Sequence, residues 1–164
     1  MAKPKDLKAI TQSRQIGQLC ACFNLRRATR AVTQLYDTIL RPIGLRTTQF
    51  TLLHAVRLQA PVTIRQLAAS VVMDRTTLTR DLRPLERQRL VSIEAGEDRR
   101  ERKVDLTVKG EQVITRALPL WQKAQAQVAQ GLGQERLQRL LADLAAAVAL
   151  TRGHEHRPQK TKEN

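Results

Sequence analysis

At 164 residues the chain is long enough for one domain with a real core, or for a small domain carrying extra helices for self-association. Hydrophobic residues make up 41% of it, yet the aromatics are only two Phe, one Tyr and one Trp, so the core must rest on Leu, Val, Ile and Ala, which favours helices over a β-sandwich. A formal charge of +14 and a pI near 11.2, carried mainly by arginine, point to a polyanionic partner.

Several classes are excluded on the same grounds. No run of about 18 apolar residues is present to span a bilayer. No apolar segment follows the basic start to make a signal peptide. Cys20 and Cys22 are too few and too close for a secreted disulfide framework. The expected location is the cytoplasm, with no membrane partner.

Residues 1–11 are polar and lysine-containing and are expected to fray. From Ser13 to Leu40 apolar residues recur at helical spacing (Ile16, Leu19, Cys20, Phe23, then Leu25, Ala28, Val32, Leu35, Tyr36, Leu40), which predicts one long amphipathic helix stopped by Pro42. After the turn RPIGL, Thr47 or Thr48 can cap a helix over TQFTLLHAVRLQ, ended by Pro61. Val62 and Thr63 suit a short strand, and Thr63 then caps IRQLAASV, with Leu67, Ala68 and Val71 turned inward.

Asp74 can cap the next helix by accepting from the amides of Thr76 and Thr77. Leu78, Leu82 and Leu85 fall at i, i+4 and i+7 and form its buried stripe, while Thr76, Thr79, Arg80 and Arg83 lie opposite. Pro84 removes a backbone hydrogen bond inside this helix, and a bend is expected between Arg80 and Pro84. Leu90–Ile93 and Arg102–Leu106 read as short strands joined by the charged turn GEDRRE. Thr107 opens another long helix running to the Gly131–Gly133 break. Beyond it, QERLQRLLADLAAAVAL carries apolar residues on more than one face, so a partner chain is the expected second wall. The tail TRGHEHRPQKTKEN has no apolar pattern and is expected to be flexible.

A helix lying in a major groove needs short polar or branched side chains near its N-terminus to reach base edges, and arginines to pair with guanine or phosphate. Arg75, Thr76, Thr77, Thr79 and Arg80 supply that set. A hairpin beside it can push an arginine into the minor groove, and Arg99 and Arg100 stand at the right place in the turn. Taken singly, a capped helix with arginines is usually only a solvated surface helix. No Gly-rich phosphate loop, H-E-x-x-H or C-x-x-C occurs. His54 sits mid-helix among apolar residues, and His154 and His156 lie in the tail, so neither an enzyme, a metal site nor a cofactor is expected.

The assembly TIRQLAASVVMDRTTLTRDLRPLERQRLV followed by EDRRERKVDLTVKG resembles the MarR family of winged helix-turn-helix transcriptional regulators, over roughly residues 20–130. The resemblance implies a mainly α fold with a small β-wing: a winged helix-turn-helix lobe over 46–107 and a helical dimerisation platform from 12–45 and 108–151, flanked by a flexible start (1–11) and a flexible basic tail (152–164). It places Asp98 and Arg100 in the family's D-x-R wing motif, the Arg in or near the minor groove and the Asp holding arginines in place. It also implies a homodimeric repressor on a pseudo-palindromic site in double-stranded DNA, with an effector pocket between platform and lobes.

Two residues depart from the family pattern. Val72 and Arg89 stand where glycine is common at the ends of the two helices, which disfavours a left-handed backbone there.

The segment LCACFNLRRATRAV is similar to the first helix of the organic hydroperoxide resistance regulators, a subgroup in which one cysteine is oxidised by peroxide. Cys22 matches that cysteine and Tyr36 one of the tyrosines that contact it, while Thr47 replaces the other. Arg26, one turn from Cys22, can favour the thiolate that peroxide attacks. Cys20 and Cys22, two apart on one helix, would point nearly opposite ways and could not bridge each other without unwinding it. Small buried apolar thiols are the competing reading, and the signal remains open between a small ligand and an oxidant. A non-specific architectural DNA-binding protein would also satisfy the charge.

Overall fold

The computed structural model describes residues 7–96, 98 and 101–155. Among them it is mainly α, with a small three-stranded antiparallel sheet, as expected. The chain falls into two compact units, residues 1–124 and 125–164. No helix among the described residues is long and apolar enough to cross a membrane.

The N-terminal stretch is two helices rather than the single one expected, α1 (Leu7–Leu19) and α2 (Ala21–Leu40). The break is at Cys20, whose backbone is extended at φ −71° and ψ 109° and whose Sγ accepts from the Phe23 amide at 3.4 Å. Asn24 closes the other side, its Nδ2 donating to the carbonyls of Gly17, Gln18 and Cys20 at 3.2, 3.3 and 3.0 Å. Apolar spacing continues across the break because it records faces, whereas a thiol and an amide supply the end-group partners that let a helix stop and restart.

A 3-10 turn at Arg41–Ile43 and Gly44, at φ 68°, reverse the chain into α3 (Thr47–Gln59). The cap of α3 also differs from expectation. Thr47 is already helical, and the partner of its amide and hydroxyl is Asp37 Oδ1 from α2, at 2.6 Å each. A carboxylate from the preceding helix thus sits on the positive end of α3.

Strand β1 (Val62–Thr63) leads into α4 (Ile64–Ser70) through the expected cap: Thr63 Oγ1 accepts from the Gln66 amide at 3.2 Å, and Gln66 Oε1 accepts from the Thr63 amide at 3.2 Å. Helix α5 (Arg75–Arg87) buries Leu78, Leu82 and Leu85 completely and runs unbroken through Pro84. β2 (Val91–Ala95) and β3 (Arg102–Leu106) form the hairpin, with β1 on the other edge of β3; Val104 faces both Val62 and Ile93. These leucines pack with Leu40, Leu53, Val56, Leu67, Val104 and Ile114 into one core. α6 (Val108–Leu132) follows, and Gly133 at φ 82° turns the chain into α7 (Gln134–Glu155).

Helix extends into both stretches expected to be irregular, since α1 starts at Leu7 and α7 reaches Glu155. The rest of the expected flexible start and tail, and the wing arginines Arg99 and Arg100, lie outside the described residues.

Val72 and Arg89 both keep the left-handed conformation, at φ 56° and 57°. The reason is the hydrogen bonding beyond each helix. Met73 N donates to Ala68 O and Leu90 N to Leu85 O, each at 2.9 Å, the reach-back bond that requires a left-handed residue just before it. The helix ends therefore impose a conformation that a side chain with a Cβ resists by roughly 1–2 kcal/mol. Val72→Gly and Arg89→Gly should each raise the unfolding free energy by about 1 kcal/mol, as read by urea denaturation; unchanged or lower stability would show the strain is absent.

Candidate nucleic-acid interface

The exposed face of α5 follows from its buried one. With three leucines of one stripe inside the core, Arg75, Thr76, Arg80 and Arg83 are exposed and Thr77 and Thr79 half-buried. Asp74 starts the helix, its Oδ1 accepting from the Thr77 amide at 2.8 Å. Hydrogen bonds from the Thr77 side chain, then its amide, hold the Asp74 carboxyl below its usual range. Thr77 is thus engaged in the cap, which separates it from the other candidate base readers. Thr79 Oγ1 donates to Arg75 O at 2.7 Å and so turns an acceptor outward.

Arg80 has a partner that sequence reasoning missed. Its Nε donates to Asp81 Oδ1 at 3.2 Å, with 72% of the arginine side chain exposed. The adjacent i, i+1 placement gave no helical-spacing signal, because such neighbours do not normally face each other.

The wing hairpin closes on Gly96 N to Glu101 O and Glu101 N to Asp98 O, both 2.8 Å. Asp98 is exposed at the tip. Between the wing and the helices lies a cleft of about 310 Å³ lined by Thr63, Ile64, Arg65, Arg75, Thr79, Glu101 and Arg102. Neither Arg65 nor Arg102 stands out in the sequence: Arg65 is a single charge at the start of α4, and Arg102 is one of several in the basic run RRERK.

Cys20 and Cys22 are free thiols, Cys20 half-buried and Cys22 exposed. Cys20 lies outside α2 in extended backbone, so the opposed-faces restriction expected for two cysteines on one helix does not apply. Tyr36 is buried, and burial pushes its phenol up from the ordinary value. Fourteen residues separate Tyr36 from Cys22 along α2, about 21 Å at 1.5 Å per residue, so the two cannot meet within one chain. His54 stacks on Phe50 with ring centroids 6.0 Å apart. Among the described residues no cluster of His, Cys, Asp and Glu could hold a metal ion.

No family model matches the chain. Among solved structures it is similar to the M. tuberculosis transcriptional regulator MosR in complex with DNA, at 42% identity over 81% of this chain and 98% of that one, with a TM-score of 0.71. It is also similar to the transcriptional repressor CouR bound to a 23-mer DNA duplex (24% identity, 81% and 94% covered, TM-score 0.73). A MarR-family regulator from Rhodococcus sp. RHA1 aligns at 23% identity over 88% and 96%, with a TM-score of 0.70. The last two establish the fold alone.

The lowered Asp74 value carries a pH dependence. A carboxyl held lower in the folded state than its ordinary 3.8 stabilises the fold fully above that value and loses its effect as the pH falls through the lowered one. Asp74→Asn keeps an acceptor but removes the charge. Wild type should be the more stable at neutral pH, and the gap should close below pH 3.8. A gap in melting temperature independent of pH would remove the charge from the cap.

Proposed function

The chain belongs to the MarR family of winged helix-turn-helix transcriptional regulators, and from that premise we propose that it is a cytoplasmic, homodimeric repressor of a pseudo-palindromic site in double-stranded DNA. The observation that carries this reading is α5: one stripe wholly inside the core, and an opposite face offering Arg75, Thr76, Thr79, Arg80 and Arg83 beside a capped N-terminus. Short threonines let the helix approach base edges, and Arg80, turned by Asp81, is the candidate for bidentate pairing with a guanine. Two copies about 34 Å apart would enter successive major grooves on one side of the duplex. The wing, with Asp98, Arg99 and Arg100, would serve the flanking minor groove.

Self-association is supported by apolar surface that a single chain leaves open. Ile16, Leu19 and Phe23 on α1 and α2 are 61%, 80% and 44% exposed, and on α7 Leu141 and Leu150 are 52% and 67% exposed. Apolar surface of this kind calls for a partner, and a second copy of the chain also supplies the two-fold symmetry that a palindromic site needs. Repression then follows from occupying DNA that polymerase requires. Release follows when a small effector, or oxidation of a thiol, favours a dimer whose two α5 helices no longer match the groove spacing.

The thiol route is favoured by Cys22 being exposed near the start of α2. Attack of its thiolate on a peroxide O–O bond forms sulfenic acid and releases water or an alcohol. If Tyr36 contacts that cysteine, it does so from the second copy.

Selection from random DNA should yield one pseudo-palindrome bound by a dimer in sedimentation. Arg80→Ala should weaken binding to it by roughly 1–3 kcal/mol while sparing unrelated duplex. A chain that enriches no sequence, and whose binding shows no specificity ratio as salt rises, is an architectural protein instead. Cys22→Ser should bind DNA normally but stay bound under peroxide. A wild type indifferent to peroxide leaves a small ligand as the signal.

A further inference from the structure

The geometry points to the cleft between α4, α5 and the wing as a dedicated seat for one DNA backbone phosphate, held by Arg65, Arg75 and Arg102 rather than by the base-reading face of α5. It rests on the reading of the chain as a duplex reader and specifies how that reading is achieved. A helix in the major groove and a hairpin in the adjoining minor groove must straddle the single backbone strand that separates the two grooves. The space between helix and hairpin is therefore where that strand has to lie.

Here three arginines from three different elements are among the residues that line the space. Arg65 is in the first turn of α4, Arg75 is the first residue of α5, and Arg102 is the first residue of β3. Arg102 is anchored by its Nη2 donating to Ile93 O across the hairpin at 3.4 Å. Convergence of arginines in this way suits a phosphodiester, whose oxygens accept fork-shaped donors. The N-terminal end of α5 is not the attractant, because the Asp74 carboxylate already occupies it. Among the described residues Glu101 is the one acid lining the cleft, and its charge tempers the attraction of the arginines.

Arg75 thereby moves from the base-reading set to the phosphate-positioning set. Phosphate-bound side chains fix register on the duplex without carrying sequence information.

Arg65→Gln and Arg102→Gln, with Glu101→Gln as the variant of opposite sign, can be titrated against the selected site and against an unrelated duplex of equal length over a salt series. Each arginine variant should bind both duplexes roughly ten-fold more weakly, with a shallower slope of log K against log salt. Glu101→Gln should bind both duplexes more tightly. Unchanged affinity and slope in the arginine variants, a weakening confined to the selected site with an unchanged slope, or no gain from Glu101→Gln would each overturn the phosphate seat. A wild type that binds no duplex would instead overturn the DNA-reading function itself, whatever the variants do.

Discussion

Everything on the candidate interface depends on three leucines. Leu78, Leu82 and Leu85 are wholly buried, and each is worth about 1.5–3 kcal/mol relative to exposure. Turning α5 by even one residue position, roughly 100° around its axis, would bring at least one of them to water. The stripe therefore aims the opposite face as firmly as it holds the helix in the core. The two ends are held as well, by Asp74 at the start and by the reach-back bond from Leu90 at the finish. What faces outward is set by what cannot.

The last carbonyls of this helix, and those just beyond it, are answered by the start of the next one. Thr107 Oγ1 donates to Arg89 O at 2.6 Å, Lys109 Nζ to Gln88 O at 2.9 Å and Thr107 N to Leu90 O at 3.2 Å. Gly110 lies so close to Leu90 O that a Cβ would run into it, which is why glycine occupies that helical position despite its poor propensity. The end of α5 and the first turn of α6 consequently form one hydrogen-bonded piece.

The charges on this face have distinct tasks. The exposed pair of Arg80 and Asp81 adds at most about 1 kcal/mol to stability, so its consequence is orientation of the guanidinium. Asp74 neutralises the helix end at which a phosphate would otherwise be drawn in, leaving attraction to side chains that surround the cleft from several elements. Strain at Val72 and Arg89 lies at the two helix ends flanking the reading helix, where the backbone turn is imposed by hydrogen bonds rather than by residue preference.

Much of what depended on spacing and side-chain type within one element was readable from the sequence. The leucine stripe of α5, its Asp74 cap, the Thr63 cap and the Gly133 break all rest on interactions within a few residues, where spacing and side-chain type determine the outcome. Tertiary structure decided the rest. Asp37 caps α3 from ten residues away because the Gly44 turn folds α2 back onto it, and no local pattern marks that acid as a cap. Two local features were missed as well: the break at Cys20 escapes periodicity because both sides keep the same spacing, and Thr77 has the position of a base reader while the cap engages it. Arg65, Arg75 and Arg102 lie up to 37 positions apart and come to line one cleft only because sheet pairing brings β3 beside the helices. Local interactions reveal themselves by spacing along the chain, whereas convergence of distant charges exists only after the core has closed, since burial of the leucines is what determines where the chain comes back to itself.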